Sequence, residues 1–100
     1  MANMCTNMLF CKTENAENYK KVLDFLEENF EVDFVNEDED GNYFESEFFS
    51  KWSFAEEEFN TLIKSLTEDE TLYIRILSHE LCCEYASFRI YKNSSWDIRF

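Results

Sequence analysis

The sequence contains no proline and a single glycine, Gly41. It therefore offers no flexible linker or low-complexity segment, and no glycine-rich loop of the kind that cradles phosphates. Histidine is almost as scarce, with His79 alone. The four cysteines, Cys5, Cys11, Cys82 and Cys83, match no C-x-x-C metal or redox spacing. Neighbours on a strand point to opposite faces, so Cys82 and Cys83 cannot grip one metal together. The opening MANMCTNMLF lacks the basic region of a signal peptide, and no apolar run reaches membrane-spanning length. These absences predict a cytoplasmic protein whose thiols stay reduced and pack as small hydrophobes.

Positive charge is the other shortage. Nine Lys and Arg face 22 Asp and Glu, a formal net of −13. Such a balance argues against direct binding of DNA or RNA and against anionic membrane surfaces. It leaves a basic partner, or acidity that serves solubility. The acids are unevenly spread. Glu27, Glu28, Glu31, Asp33, Glu37, Asp38, Glu39 and Asp40 occur in one stretch with no Lys or Arg among them.

Aromatics are abundant: 18 in 100 residues, 11 of them Phe. The length suits one domain, residues 1–100, with a single core. Alternation predicts strands at Cys5–Lys12, Glu31–Val35, Tyr43–Lys51, Leu72–Ser78, Cys83–Lys92 and Trp96–Phe100. Val32 and Phe34 are expected to face together. In the third strand, Phe44, Ser46, Phe48 and Ser50 oppose Tyr43, Glu45, Glu47 and Phe49. The first helix is predicted from Ala16 to Asn29, capped by Thr13 or Asn15, with Tyr19, Val22, Leu23, Leu26 and Phe30 as its stripe. A second helix follows a corner at Trp52 and Ser53. Ser53 and Glu56 have capping-box spacing, and Ala55, Phe59, Leu62, Ile63 and Leu66 share one face.

This order, β-α-β-β-α-β with a further C-terminal β-hairpin, predicts an α+β fold of ferredoxin-like, two-layer type. One sheet face would lie under the helices. The other would stay open and could serve as a docking surface.

Two stretches carry a resemblance. The opening M-A-N-M-C-T-N is similar to the M-x-N-W-C-x-N start of small phage- and plasmid-encoded proteins with the Api92-like, or YubB, ferredoxin-like domain. The segment FESEFFSKWSFAEEEF resembles that family's F-x-[ST]-x-W-S-x-P stretch. Glu80 and Tyr85, in SHELCCEY, fall where the family tends to carry a Tyr or Glu. Met4 stands where Trp is usual, and Ala55 where Pro is common. The resemblance implies the same fold and a mobile-element origin, hence a bacterial host cell. It supplies no catalytic residue.

Chemistry is sparse. His79 lies near Cys82 and Cys83, but no third orienting group accompanies a Cys–His pair. Glu37–Asp40 with Gly41 lacks the ligand spacing of a calcium loop. Arg75, Arg89 and Arg99 read as structural ion-pair partners. No catalytic, metal or cofactor site is predicted. The leading expectation is a non-enzymatic inhibitor that mimics nucleic acid, as small anti-CRISPR proteins can. It would present Glu27, Glu28, Glu31, Asp33, Glu37, Asp38, Glu39 and Asp40, with Glu45 and Glu47 adjoining, to a basic nucleic-acid-binding host defence protein. The alternative is a structural or regulatory interaction module, acting through its open sheet face or by self-association. It would use aromatics such as Tyr43, Phe49, Tyr91 or Trp96.

Overall fold

The structure, a computed structural model, describes residues 4–51, 54–80 and 85–99. The elements are β1 (Met4–Lys12), α1 (Ala16–Asn29), β2 (Glu31–Glu37), β3 (Tyr43–Lys51), α2 (Glu56–Ser65), β4 (Tyr73–Glu80), β5 (Tyr85–Lys92) and β6 (Ser95–Arg99). The six strands form one sheet in the order β2-β3-β1-β4-β5-β6, and every neighbouring pair is antiparallel. The chain is an α+β protein. The corner at Trp52 and Ser53 with its Ser53 cap, the Cys82–Cys83 pair and Phe100 lie outside the described residues.

β1 sits inside the sheet, paired along one edge with β3 and along the other with β4. Cys5, Asn7, Leu9 and Cys11 are buried on one face, while Met8 on the other is exposed. Both helices pack on the first of these faces. Val22 and Leu26 of α1 and Phe59 and Leu62 of α2 close over Leu9, Cys11, Phe44, Phe48, Ile74 and Ile76. Phe48 lies between Phe30 and Phe59, with ring centroids 4.7 and 5.9 Å away, spacings at which aromatic pairs add to simple burial.

Local chemistry explains the helix ends. The Asn15 side chain accepts from the Asn18 N–H at 3.0 Å and caps α1. At the other end the Phe30 N–H donates to Leu26 O at 3.1 Å. α2 has Ala55 at its N-cap position and no side-chain cap bond. Glu56, Glu57 and Glu58 in its first turn oppose the positive end of the helix dipole instead.

Buried polar groups lock the layers together. Asn7 is fully buried between three strands. Its Nδ2 donates to Ser50 Oγ at 3.0 Å and its Oδ1 accepts from Ser78 Oγ at 2.7 Å. A one-residue slip of β1 would turn this amide to the opposite face. At the other end of the sheet, Asn18 pairs in both directions with the Thr67 backbone at 2.9 Å. Asp69 accepts from Thr13 Oγ1, from the Thr71 N–H and hydroxyl, and from Asn18. This clasp fastens the start of α1 to the connection between α2 and β4. Burial alone would raise the Asp69 pKa, but these hydrogen bonds outweigh it and hold the carboxyl below its ordinary value.

Some predicted details are corrected. β2 runs on to Glu37, so the turn shortens to residues 38–42. There the Asp38 N–H bonds Tyr43 O at 2.9 Å, and Gly41 adopts φ +70°. Val32 and Phe34 do not face together. A bulge between them places Val32 opposite Phe48 and Phe34 opposite Glu47, so Phe34 emerges on the open face. α2 begins at Glu56 and ends at Ser65, before Leu66. Leu72 is buried just ahead of β4, which continues to Glu80 and so takes His79 into the strand. β5 and β6 meet at Asn93 and Ser94, whose φ values of 51° and 63° are those of a type I′ hairpin turn.

Candidate functional site

Alternation along each strand, combined with the observed register, assigns every side chain to one of two faces. On β5 the outcome is the less obvious one. Ile76 pairs with Arg89 and Ile74 with Tyr91, so the more polar side of β5 turns towards the helices. Arg89 is buried there, its Cζ 4.2 Å from the Phe54 ring centroid and its Nη1 3.7 Å from Glu56 Oε1. Trp96 and Tyr91 flank the same margin of the core, 5.1 Å apart, and are half-buried. They are therefore not the exposed anchors that the sequence suggests. Phe88 and Ile90 point the other way, to the open face.

Nine of the ten acids singled out in the sequence fall into three groups, and Asp33 stands apart. Glu27 and Glu28 end α1, and Glu31 begins β2 beside them. The fold adds three acids that sequence distance had kept apart: Glu56, Glu57 and Glu58 at the start of α2. Glu28, Glu31 and these three line one cleft of about 750 Å³, with Phe30, Phe49 and Phe54 among its walls and Lys51 at its side. The second group, Glu37 to Asp40, lies at the opposite end of β2, about 20 Å away at 3.3 Å per residue. There Glu37 accepts from Tyr19 Oη at 2.8 Å. Burial first, and then this carboxylate, push the Tyr19 pKa up. Asp33 lies between the two ends, exposed on the bulged edge strand. Glu45 and Glu47 form the third group, on the open face of β3.

The open face differs in charge from the rest of the molecule. Among the residues whose side chains are described, the register places Lys12, Lys51, Arg75 and Lys92 on it, against Glu31, Glu45, Glu47 and Asp97. These eight cancel, so the excess of acid in the chain lies elsewhere. The face is also where apolar side chains reach solvent. Met4, Met8, Phe34, Tyr43 and Leu77, each 38–48% exposed, lie on it. Across its centre run Phe34, Glu47, Met8, Leu77 and Phe88, one from each of five successive strands. All but Glu47 border a shallow depression of about 270 Å³ that also includes Phe10, Glu45 and Arg75. The Arg75 guanidinium lies over the Phe10 ring at 4.7 Å.

The described thiols are poor nucleophiles. Burial pushes the Cys11 thiol up to about 12, and Asp69 adds to the shift. Burial likewise raises Cys5, with Glu80 adding, although hydrogen bonds from Ser50 and the His79 backbone oppose it. A thiol held protonated does not attack or ligate. His79 is half-exposed on the open face, across from Thr6 and Ala86. Among the described residues no three His, Cys, Asp or Glu side chains converge as metal ligands would, and no helix is long and apolar enough to cross a membrane.

Protein-family models, curated proteins and solved structures were each compared with this chain, and none of them matches it.

Proposed function

We propose that this chain is a non-enzymatic acidic protein of a phage or related mobile element. It binds and inhibits a basic, nucleic-acid-binding host defence protein by occupying the groove in which that protein holds nucleic acid. The scaffold is read as a ferredoxin-like β-α-β-β-α-β sandwich extended by a C-terminal β-hairpin, since strands β2-β3-β1-β4 and two helices on one face match that plan. The observation that carries the proposal is the cleft where Glu28 and Glu31 meet Glu56, Glu57 and Glu58. Carboxylates held at the ends of two helices can satisfy Lys and Arg that otherwise pair with phosphates. Phe30 and Phe49, both half-buried, add aromatic surface beside these carboxylates. Glu27 adjoins this end, while Asp33 and Glu37 to Asp40 extend the acidic surface along the edge strand.

The test is a pull-down with nuclease-treated bacterial lysate, followed by competition with double-stranded DNA. The expected result is capture of a basic nucleic-acid-binding protein, lost at high salt and displaced by DNA. A variant with Glu28, Glu31, Glu57 and Glu58 each changed to Lys should lose capture. Capture that DNA does not compete, or that survives in this variant, would sink the mimicry. The alternative, an interaction module acting through the open sheet face, is favoured by the exposed Met8, Phe34 and Leu77. It predicts binding that tolerates salt.

A further inference from the structure

We infer that the open sheet face is a homodimer interface, occupied by the same face of a second copy. Three features identify the occupant. Charge is the first. A protein of net charge −13 repels its own kind least where its surface carries no excess of acid, and the open face is such a region, with four cations and four acids among its described side chains. A basic partner would find its attraction at the acidic cleft and along the edge strand instead.

The second feature is self-complementarity. Glu45 and Glu47 lie on β3, on one side of the β1–β4 seam. Arg75 and Lys92 lie on the other side, on β4 and β5. A two-fold axis running along that seam, in the plane between the sheets, lays each half over the other half of the second copy. Arg75 of one copy then comes within reach of Glu45 of the other, and Met8 meets Leu77. An isologous contact of this kind is closed by its own symmetry.

The third feature is size. Five spacings of about 4.8 Å across the six strands, and up to nine residues at about 3.3 Å along them, give the sheet a face of about 24 by 30 Å. A face of that extent is comparable to the ~800 Å² per partner of a standard stable interface. Sheets packed face to face enclose a layer about 10 Å thick. That spacing suits the row of Phe34, Met8, Leu77 and Phe88 as an apolar centre, with Lys12, Lys51 and Lys92 at its margins. In the dimer the helices point outwards on both sides, while each acidic cleft sits at the end of the sheet, where Glu31 and Lys51 belong both to it and to the margin of the open face.

The inference is tested by sedimentation of the full chain at about 100 μM, a concentration that fills a micromolar dimer. The expected result is a dimer for the wild type, and a folded monomer by circular dichroism for Met8→Asp with Leu77→Asp. Arg75→Glu alone and Glu45→Arg alone should each weaken the dimer, and an equimolar mixture of the two should restore it. Salt separates this contact from the proposed mimicry. It should tighten the dimer by screening the mutual repulsion of two acidic chains, whereas it loosens acid–base binding. A wild type that remains monomeric at this concentration overturns the inference. So does a dimer that survives the double Asp change, or a mixture that behaves like its components.

Discussion

The two faces of the sheet are built from the same strands, one residue out of phase, yet they do different work. On the helix side Phe44, Phe48, Phe59 and Ile76 are fully buried, and the polar groups among them are bonded, as Asn7 and Ser78 are. On the open side Met8, Phe34 and Leu77 remain 41–48% exposed, and charges of both signs alternate with them. The first face holds the monomer together, because apolar area leaves water there and each buried amide finds partners. The second contributes little to monomer stability and is available for contact. The difference teaches that in this chain apolar content does not mark the core. β5 makes the point most sharply: it buries Arg89 and exposes Phe88 and Ile90 to the open side.

Substitutions can sharpen or break that contrast. The largest effect is expected at Phe59, which touches Phe25, Phe48 and Phe54 at centroid distances of 5.1, 5.9 and 4.9 Å. Phe59→Ala should cost about 3–5 kcal/mol in urea unfolding. A loss below about 1 kcal/mol would show that the helix side is not the tight core described. Asn18→Ala should follow at about 1–3 kcal/mol, because it leaves the Thr67 N–H and Asp69 short of partners.

A third prediction concerns pH. The Asp69 carboxyl is held below its ordinary value of 3.8 in the folded chain. Its contribution is therefore fully present above that value, and is lost as pH falls through the lower folded pKa. Asp69→Asn should be less stable than wild type at neutral pH, and the gap should narrow below about pH 4. A gap that stays constant down to acid would contradict the clasp. The smallest effect is expected on the open face. Phe34→Ser should change monomer stability by no more than about 0.5 kcal/mol at concentrations too low for self-association. A larger loss would mean that the open face helps to build the monomer, and the contrast between the faces would fail.

Much of this architecture was legible in the sequence. The span of α1 follows from Val22 and Leu26 recurring at helical spacing after the two cap candidates Thr13 and Asn15, although Phe30, which shares that spacing, is extended and lies just past the helix end. β3 follows from the alternation of Phe44, Ser46, Phe48 and Ser50. Positions where the chain departs from strict period were not legible. The bulge after Val32 adds one residue to β2 against β3, and so reverses the direction of Phe34; EVDFV carries no mark of that insertion. The meeting of Glu28 and Glu31 with Glu56, Glu57 and Glu58 was hidden for another reason. Residues about 25 positions apart become neighbours only once the end of α1 and the start of α2 lie over the same end of the sheet.

The sequence by itself determined the elements, their order and the net charge, and narrowed the cap of α1 to Thr13 or Asn15, because period, cap residues and composition are local or additive properties. Only the tertiary structure decided which side of each strand the helices cover. Alternation defines two sets of side chains but not which set loses its water. That choice is made by the register with neighbouring strands, and in β5 it sends Arg89 inwards and Phe88 outwards. The sorting of charge into a neutral sheet face and an acidic remainder follows from the same choice, since pairing across strands, and not position along the chain, sets Arg75 and Lys92 beside Glu45 and Glu47 on one surface.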